Sequence, residues 1–279
     1  MQKNAPDFIG IGADHAGLGS ITALLADHPA VVDAIPSCRF FSQEGDPTEV
    51  SLQAYESQLP PLDKKHRLRG ECSAEYLATT SAAERIVTAY PTTKLFVVVR
   101  HPLDRAIAVY EHARQSGHIP STMSCADYLL AHPLVQTDGF YGHHLSAYFS
   151  YYTALQLHII VYEDFATQPL KVMQDLYGFL EIDTNFVPKA LAAFAPPPDE
   201  PINPGRIKRL ILFIGQSIKK MRAKPAVPIT PPPYVLSTYF SETEQAVFTA
   251  AYEPDCAQLT NIMHRDIGVF WNIVPPNKA

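Results

Sequence analysis

The sequence predicts an α/β fold of three layers, with helices on both faces of a central parallel sheet. Three observations lead there. Short apolar runs of strand length alternate with segments of helical spacing. One of those runs, Lys94–Val99, is apolar from Leu95 onward and ends in three valines, the composition of a strand buried on both faces. Glycine-rich or arginine-containing turns follow two of the strands directly, where open parallel sheets place their ligands. The 279 residues, 47% hydrophobic and 18% charged, are enough for one large domain spanning 1–279.

The elements follow in order. Asp7-Phe8-Ile9-Gly10-Ile11-Gly12 reads as the first buried strand, and a small-residue loop over 13–19 leads into a helix at 20–26. His28-Pro29 stops that helix, because proline cannot continue the hydrogen-bond ladder. A helix is expected over 81–90, ended by Pro91, then the strand Lys94–Val99, a turn at Arg100-His101-Pro102, and a helix over 103–115 with Gly117 as its cap. A helix over 139–151, a strand at 157–161 and a helix over 169–180 repeat the pattern. A last helix over 242–264 ends near Trp271, the one tryptophan. Two stretches, about 38–66 and 195–235, look irregular and lid-like; the second holds Pro196-Pro197-Pro198 and Pro231-Pro232-Pro233.

Composition narrows the function classes. A net charge of −6 offers no bulk attraction to nucleic acid or to anionic membrane, so neither is an expected partner. The four cysteines, Cys38, Cys72, Cys125 and Cys256, form no C-x-x-C pair and read as reduced thiols. The first residues lack the basic, apolar and small-residue succession of a signal peptide, and no window reaches the roughly 18 apolar residues of a membrane span. The expectation is a cytoplasmic protein without membrane insertion.

Two constellations carry chemistry. Gly12-Ala13-Asp14-His15-Ala16-Gly17-Leu18-Gly19 joins a strand to a helix, the setting in which backbone N–H groups cradle phosphate. It has no Gly-Lys-Ser/Thr and so is not the loop of a P-loop kinase. A plain turn accounts for it equally well. Arg100-His101-Pro102-Leu103-Asp104-Arg105 places two arginines where a buried strand meets its helix, and the guanidinium fork matches phosphate oxygens. A solvated Asp104–Arg105 pair is the bland account of the second arginine.

Taken in order, these motifs resemble the sulfotransferases that use 3′-phosphoadenosine 5′-phosphosulfate (PAPS), above all the heparan-sulfate N-sulfotransferase branch. The layout is a strand, loop and helix ending in His-Pro, then Arg-x-Pro-x-x-Arg, then Gly-x-Tyr. Glu71-Cys72-Ser73-Ala74-Glu75-Tyr76, Gly139-Phe140-Tyr141-Gly142-His143-His144-Leu145, Tyr162-Glu163-Asp164-Phe165, Gly178-Phe179-Leu180, and Tyr252-Glu253-Pro254-Asp255 with Arg265-Asp266 and Trp271 are similar to further stretches of that family. The likeness runs from about 7 to 273 with its spacing kept.

The resemblance implies a P-loop-NTPase-like sulfotransferase fold and transfer of a sulfuryl group from PAPS to a hydroxyl or amine, releasing adenosine 3′,5′-bisphosphate (PAP) without a metal. It implies Glu71 as general base, and it places His15 where the family has a lysine at the bridging oxygen. Ala16, Gly17, Leu18, Gly19 and Ser20 fall at the loop that grips the 5′-phosphosulfate, with Leu18 and Gly19 in place of hydroxyl residues. Arg100, Arg105 and Ala108 fall at the 3′-phosphate site, Ala108 replacing a serine. Gly205 and Arg206 match a later basic glycine loop, and Tyr141 and His144 fall in the acceptor region. The acceptor is expected to be a small molecule, lipid, carbohydrate or carrier-bound group. The altered loop leaves open an alternative, a catalytically degenerate binding protein for a nucleotide, glycan or protein partner.

Overall fold

The structure, a computed structural model, describes residues 5–32, 35–36, 38–194 and 234–273. Its centre is a parallel sheet of five strands: β1 (Phe8–Gly10), β2 (Ile35–Pro36), β3 (Gly70–Cys72), β4 (Lys94–Val99) and β5 (Leu157–Val161). Their order across the sheet is β2-β3-β1-β4-β5. β3 lies beside β1 with Ile9 opposite Glu71, and β4 flanks the other side with Ile9 opposite Leu95. The chain therefore departs from β1 to both sides, which makes the carboxyl end of β1 a switch point and a natural crevice.

Helices cover both faces. Along β4 successive side chains alternate between two cores, as a strand's period of two requires. Leu95, Val97 and Val99 face one core, with residues of α3 (Ala82–Ala89), α4 (Pro102–Gln115), α5 (Cys125–Ala131), α7 (Tyr141–Phe149) and α10 (Glu242–Met263). Phe96 and Val98 face the other, with residues of α1 (Leu18–Ala26) and α9 (Pro169–Phe179). The three-layer α/β/α architecture read from the sequence is thus the one observed.

Several elements were not legible. β3 is three residues with a glutamate at its centre, too short and too polar to show an apolar run. The stretch 38–66 holds a 3₁₀ turn, Phe40–Ser42, and α2 (Glu49–Glu56), whose start is fixed by a capping box between Thr48 and Ser51. α6 (Pro133–Thr137) and α8 (Tyr162–Thr167) are short insertions before α7 and α9, and α11 (Ile267–Phe270) closes the described chain. The proline-rich runs at 196–198 and 231–233, and the expected glycine loop at Gly205 and Arg206, lie outside the described residues. Among the described residues no helix is long and apolar enough to cross a membrane. None of their His, Cys, Asp and Glu side chains gather in a group of three or more suited to a metal ion.

Candidate active site

Three of the expected site residues come from neighbouring strands of the sheet: the His15 loop and Arg100 follow β1 and β4, and Glu71 lies within β3. After β1 the chain turns through 11–17 with Gly12 at φ 152° and Gly17 at φ 102°. Gly12 also admits close packing: a Cβ there would fall 2.6 Å from Leu77 Cβ and 2.9 Å from the Ala74 carbonyl oxygen. Gly17 caps α1 in the left-handed conformation, a cheap choice for glycine. The first N–H groups of α1, from Leu18 and Gly19 onward, have no intrahelical acceptors and face the loop. Ala16 is fully buried and Leu18 nearly so, while Gly19 is exposed; Ser20 is 1% exposed and donates its N–H to the Gly17 carbonyl. Ala16, Leu18 and Ser20 therefore contribute backbone and packing to this loop.

His15 is the loop's chemically active side chain. It holds φ 57°, and its ring Nε2 stands 3.8 Å from Asp14. Burial pulls its pKa below the ordinary histidine value. Asp14 opposes that shift, and the charges of His112, Arg105 and Arg100 add to it. Burial and the neighbouring positive charges thus both disfavour a proton on this imidazole.

Arg100 leaves β4 directly into that corner and is fully buried. One guanidinium nitrogen donates to the His15 carbonyl at 3.4 Å, and the guanidinium lies 4.9 Å from the ring centre of Tyr162 and 5.4 Å from that of Tyr234. Stacked aromatic faces suit a planar cation. Tyr234 is anchored there through its own N–H, which donates to Asp104 at 3.3 Å. Burial raises Asp104 to about 6 against the pull of Arg100.

Two expectations need correction. Arg105 does not project from the helix as a phosphate ligand: it is 1% exposed, and its Nη2 donates to the Val135 carbonyl, tying α4 to α6. A guanidinium that stabilises a buried turn is engaged before any ligand arrives. Tyr141, expected in the acceptor cleft, is a fully buried core residue whose ring centre is 6.1 Å from that of Trp271. His144 is half-buried on α7, with its Nε2 3.0 Å from the Thr137 carbonyl oxygen. Ala108, 7% exposed, offers only a methyl group.

Glu71 occupies the middle of β3 and is fully buried. The hydroxyls of Tyr55 and Tyr76 each donate to its Oε1 at 2.9 Å, and Ser73 Oγ donates to its Oε2 at 3.0 Å. Burial pushes its pKa up, and the three hydroxyl donors pull it back. The Phe40–Ser42 turn closes over it. Arg39 N–H donates to Ser73 Oγ at 3.1 Å, Phe41 N–H to the Tyr76 hydroxyl at 3.2 Å, and Arg39 pairs with Glu75 at 2.6 Å. Glu71 is therefore a buried and fully partnered carboxylate, not a surface acid. Tyr76 and Ser73 stood within the motif around Glu71, but Tyr55 comes from a helix 16 residues upstream and carried no signal.

Comparison with known proteins agrees with this arrangement. A sulfotransferase-domain family model matches residues 63–194, which hold Glu71 and Arg100. Over that stretch the chain is similar to the sulfotransferase family. Among curated proteins it is similar to the mouse bifunctional heparan sulfate N-deacetylase/N-sulfotransferase 4, 25% identical over 199 residues, which are 65% of this chain and 23% of that protein. The chain thus spans under a quarter of that relative's length. Among solved structures, the sulfotransferase from Alicyclobacillus acidocaldarius superposes with a TM-score of 0.65 at 22% identity, covering 96% of this chain and 99% of that one. Mouse sulfotransferase SULT7A1, solved in complex with PAP, gives a TM-score of 0.52 at 14% identity over 96% and 87% of the two chains. At such identities the likeness establishes the sulfotransferase fold, which is P-loop-like and matches the expected class.

Proposed function

We propose that this chain moves a sulfuryl group from PAPS to a hydroxyl or amine acceptor. The observation that carries the reading is the placement of the His15 loop and Arg100 at the carboxyl ends of β1 and β4, with Glu71 in the middle of the adjacent three-residue β3. A nucleotide phosphate on α1 and Arg100, and an acceptor near Glu71, then meet across one crevice. The PAP found on the SULT7A1 neighbour supports the choice of nucleotide.

The chemistry is an in-line displacement in which positioning and charge stabilisation dominate. The acceptor oxygen or nitrogen bonds to sulfur as the bond from sulfur to the bridging phosphate oxygen breaks. The acceptor's proton passes to Glu71, and the negative charge growing on the departing phosphate is met by the α1 N-terminus and His15. Glu71's raised pKa makes its carboxylate a stronger base than an exposed glutamate. Its enclosure sets a condition: the Phe40–Ser42 turn must swing aside before an acceptor reaches it. Arg100 likewise meets phosphate once the Tyr234 ring yields its place.

The acceptor belongs to the small-molecule or carbohydrate class, in line with the carbohydrate named for the curated relative. A net charge of −6 favours a short or neutral acceptor over a long polyanion, which basic residues would have to track. Transfer from radiolabelled PAPS to a panel of glucosamine oligosaccharides, small amines and alcohols tests the activity. The expected result is a labelled product whose formation falls by about 100-fold or more in Glu71→Gln, the weight of a general base. A rate unchanged in that variant would remove Glu71 from the chemistry.

A further inference from the structure

His112 takes no part in the reading above, yet it stands at the same loop. It lies on α4 seven residues beyond Arg105, two helical turns on and on nearly the same bearing. Its ring centre is 5.2 Å from that of His15, with the ring planes at 54°. It is exposed, whereas most of its neighbours on α4 are buried. Ala108, one turn earlier, presents no polar atom between it and the strand exit. Two imidazoles at this distance, one from the loop and one from the facing helix, are in contact and bring their ring nitrogens to one corner of the loop. Among the described residues neither ring has a carbonyl or carboxylate at hydrogen-bond distance, and Asp14 stands 3.8 Å from His15.

We propose that His112 is a ligand-binding residue for the phosphosulfate end of the donor, closing with His15 on the anion as a pair of imidazolium donors. The inference rests on the PAPS reading of this loop and deepens it by assigning a second side chain to that end of the nucleotide. Without ligand, two charged imidazoles this close repel, and His15 also faces Arg100 and Arg105. An anion bridging the two rings at their shared edge reverses the balance, because each proton then gains a charge-assisted hydrogen bond. Binding is therefore coupled to proton uptake. The other groups facing the pair are Asp14 on the loop and, beyond it, Asp138, which is within electrostatic range of both Asp14 and Arg105. Glu111, next to His112, is engaged by Arg114 at 2.8 Å and points its charge there.

The test has two readouts on the full chain. In the first, histidine ring signals are followed by NMR through a pH titration without ligand. His112→Asn relieves the repulsion, so the His15 midpoint moves upward; an unmoved midpoint overturns the pairing. In the second, PAP and inorganic pyrophosphate are titrated calorimetrically at pH 6, 7 and 8 in buffers of different ionisation heat, which counts protons. The wild type takes up more than one proton with pyrophosphate near pH 7. His112→Asn takes up fewer protons and binds about 10-fold more weakly, whereas His112→Lys restores affinity and leaves only the uptake that belongs to His15. Pyrophosphate binding and proton count unchanged in His112→Asn overturn this inference and leave the PAPS reading intact. Pyrophosphate binding that depends on His112 while PAP fails to bind at every pH overturns the PAPS reading and keeps the imidazole pair as a site for a simpler anion. Failure of both ligands with wild type overturns the two together.

Discussion

At the residue scale, the chemistry of this chain depends on how burial and partners set the charge of single groups. His101 and Asp104, three residues apart at the start of α4, make the point. Burial holds His101 down at about 4 and Asp104 up at about 6. For His101 the unfolded chain binds more protons between about pH 4 and 6.5, so this histidine's contribution to stability is lost as pH falls through that window. For Asp104 the folded state binds more protons between about 4 and 6, so its contribution runs the other way and is lost as pH rises. The two partly cancel in the native protein. His101→Asn keeps a side-chain acceptor for the Asp104 N–H, which His101 Nδ1 now accepts at 3.4 Å, and removes the titration. Relative to the native chain it gains about 1–3 kcal/mol as pH drops from 7 to 4.5. Urea unfolding midpoints at pH 7, 5.5 and 4.5 measure the difference; a constant offset across those values would exclude His101 as the source. None of this was legible in the sequence, where His101 was simply the middle residue of an Arg-His-Pro turn.

At the element scale, what could be read was what local pattern determines. β4 and β5 announced themselves by composition, and α4 by its helical spacing and the glycine just past its end, although Pro102, expected in the turn, is its first residue. α10 opens with a capping box between Ser241 and Glu244 and continues through Pro254 to Met263. Its Asp255 accepts the backbone N–H groups of Gly142 and His143 at 2.9 and 2.7 Å, supplying the partners that the first turn of α7 lacks. Gly142 is where these helices touch: a Cβ there would sit 2.4 Å from the Asp255 carbonyl oxygen and 2.9 Å from the Leu259 nitrogen. Both are helix backbone and cannot step aside. Gly142→Ala is expected to cost about 1–3 kcal/mol, with a lower thermal midpoint and little change in PAP affinity, since the contact is remote from the loop. A variant as stable as the native chain would contradict this packing. In the sequence Gly142 was one letter of a motif, and its role depends on a helix more than a hundred residues later. β3 was missed for the same reason. Its glutamate is tolerated in the sheet because Tyr55, Ser73 and Tyr76 satisfy it, and three hydroxyls from separate elements leave no periodic trace.

At the scale of the whole molecule, the sheet order explains why residues as distant in sequence as His15, Glu71 and Arg100 come from neighbouring strands. β1 sits between β3 and β4, so the turns leaving all three open onto one edge. β3, and with it the place of Glu71, was not legible, but the position of the His15 loop and of Arg100 after their strands followed from strand–helix alternation. The enclosure of the site did not. Tyr234 over Arg100 and the Phe40–Ser42 turn over Glu71 arise from segments whose sequence suggested irregular loops, and both must move for donor and acceptor to enter. The commitment of Arg105 to the Val135 carbonyl is also a tertiary choice: the sequence offered two arginines, and the packing of α6 on α4 decided between them.

The central claim, that this edge holds a 3′-phosphoadenosine nucleotide, is tested most directly by calorimetric titration of PAP into the wild type and into Arg100→Gln, with near-ultraviolet circular dichroism to verify the fold of the variant. The account predicts micromolar binding by the wild type and a loss of about 10- to 100-fold in the variant, the scale of one charge-assisted hydrogen-bonding group. Equal affinity in the two proteins, or no binding by the wild type between pH 5.5 and 8, would contradict it.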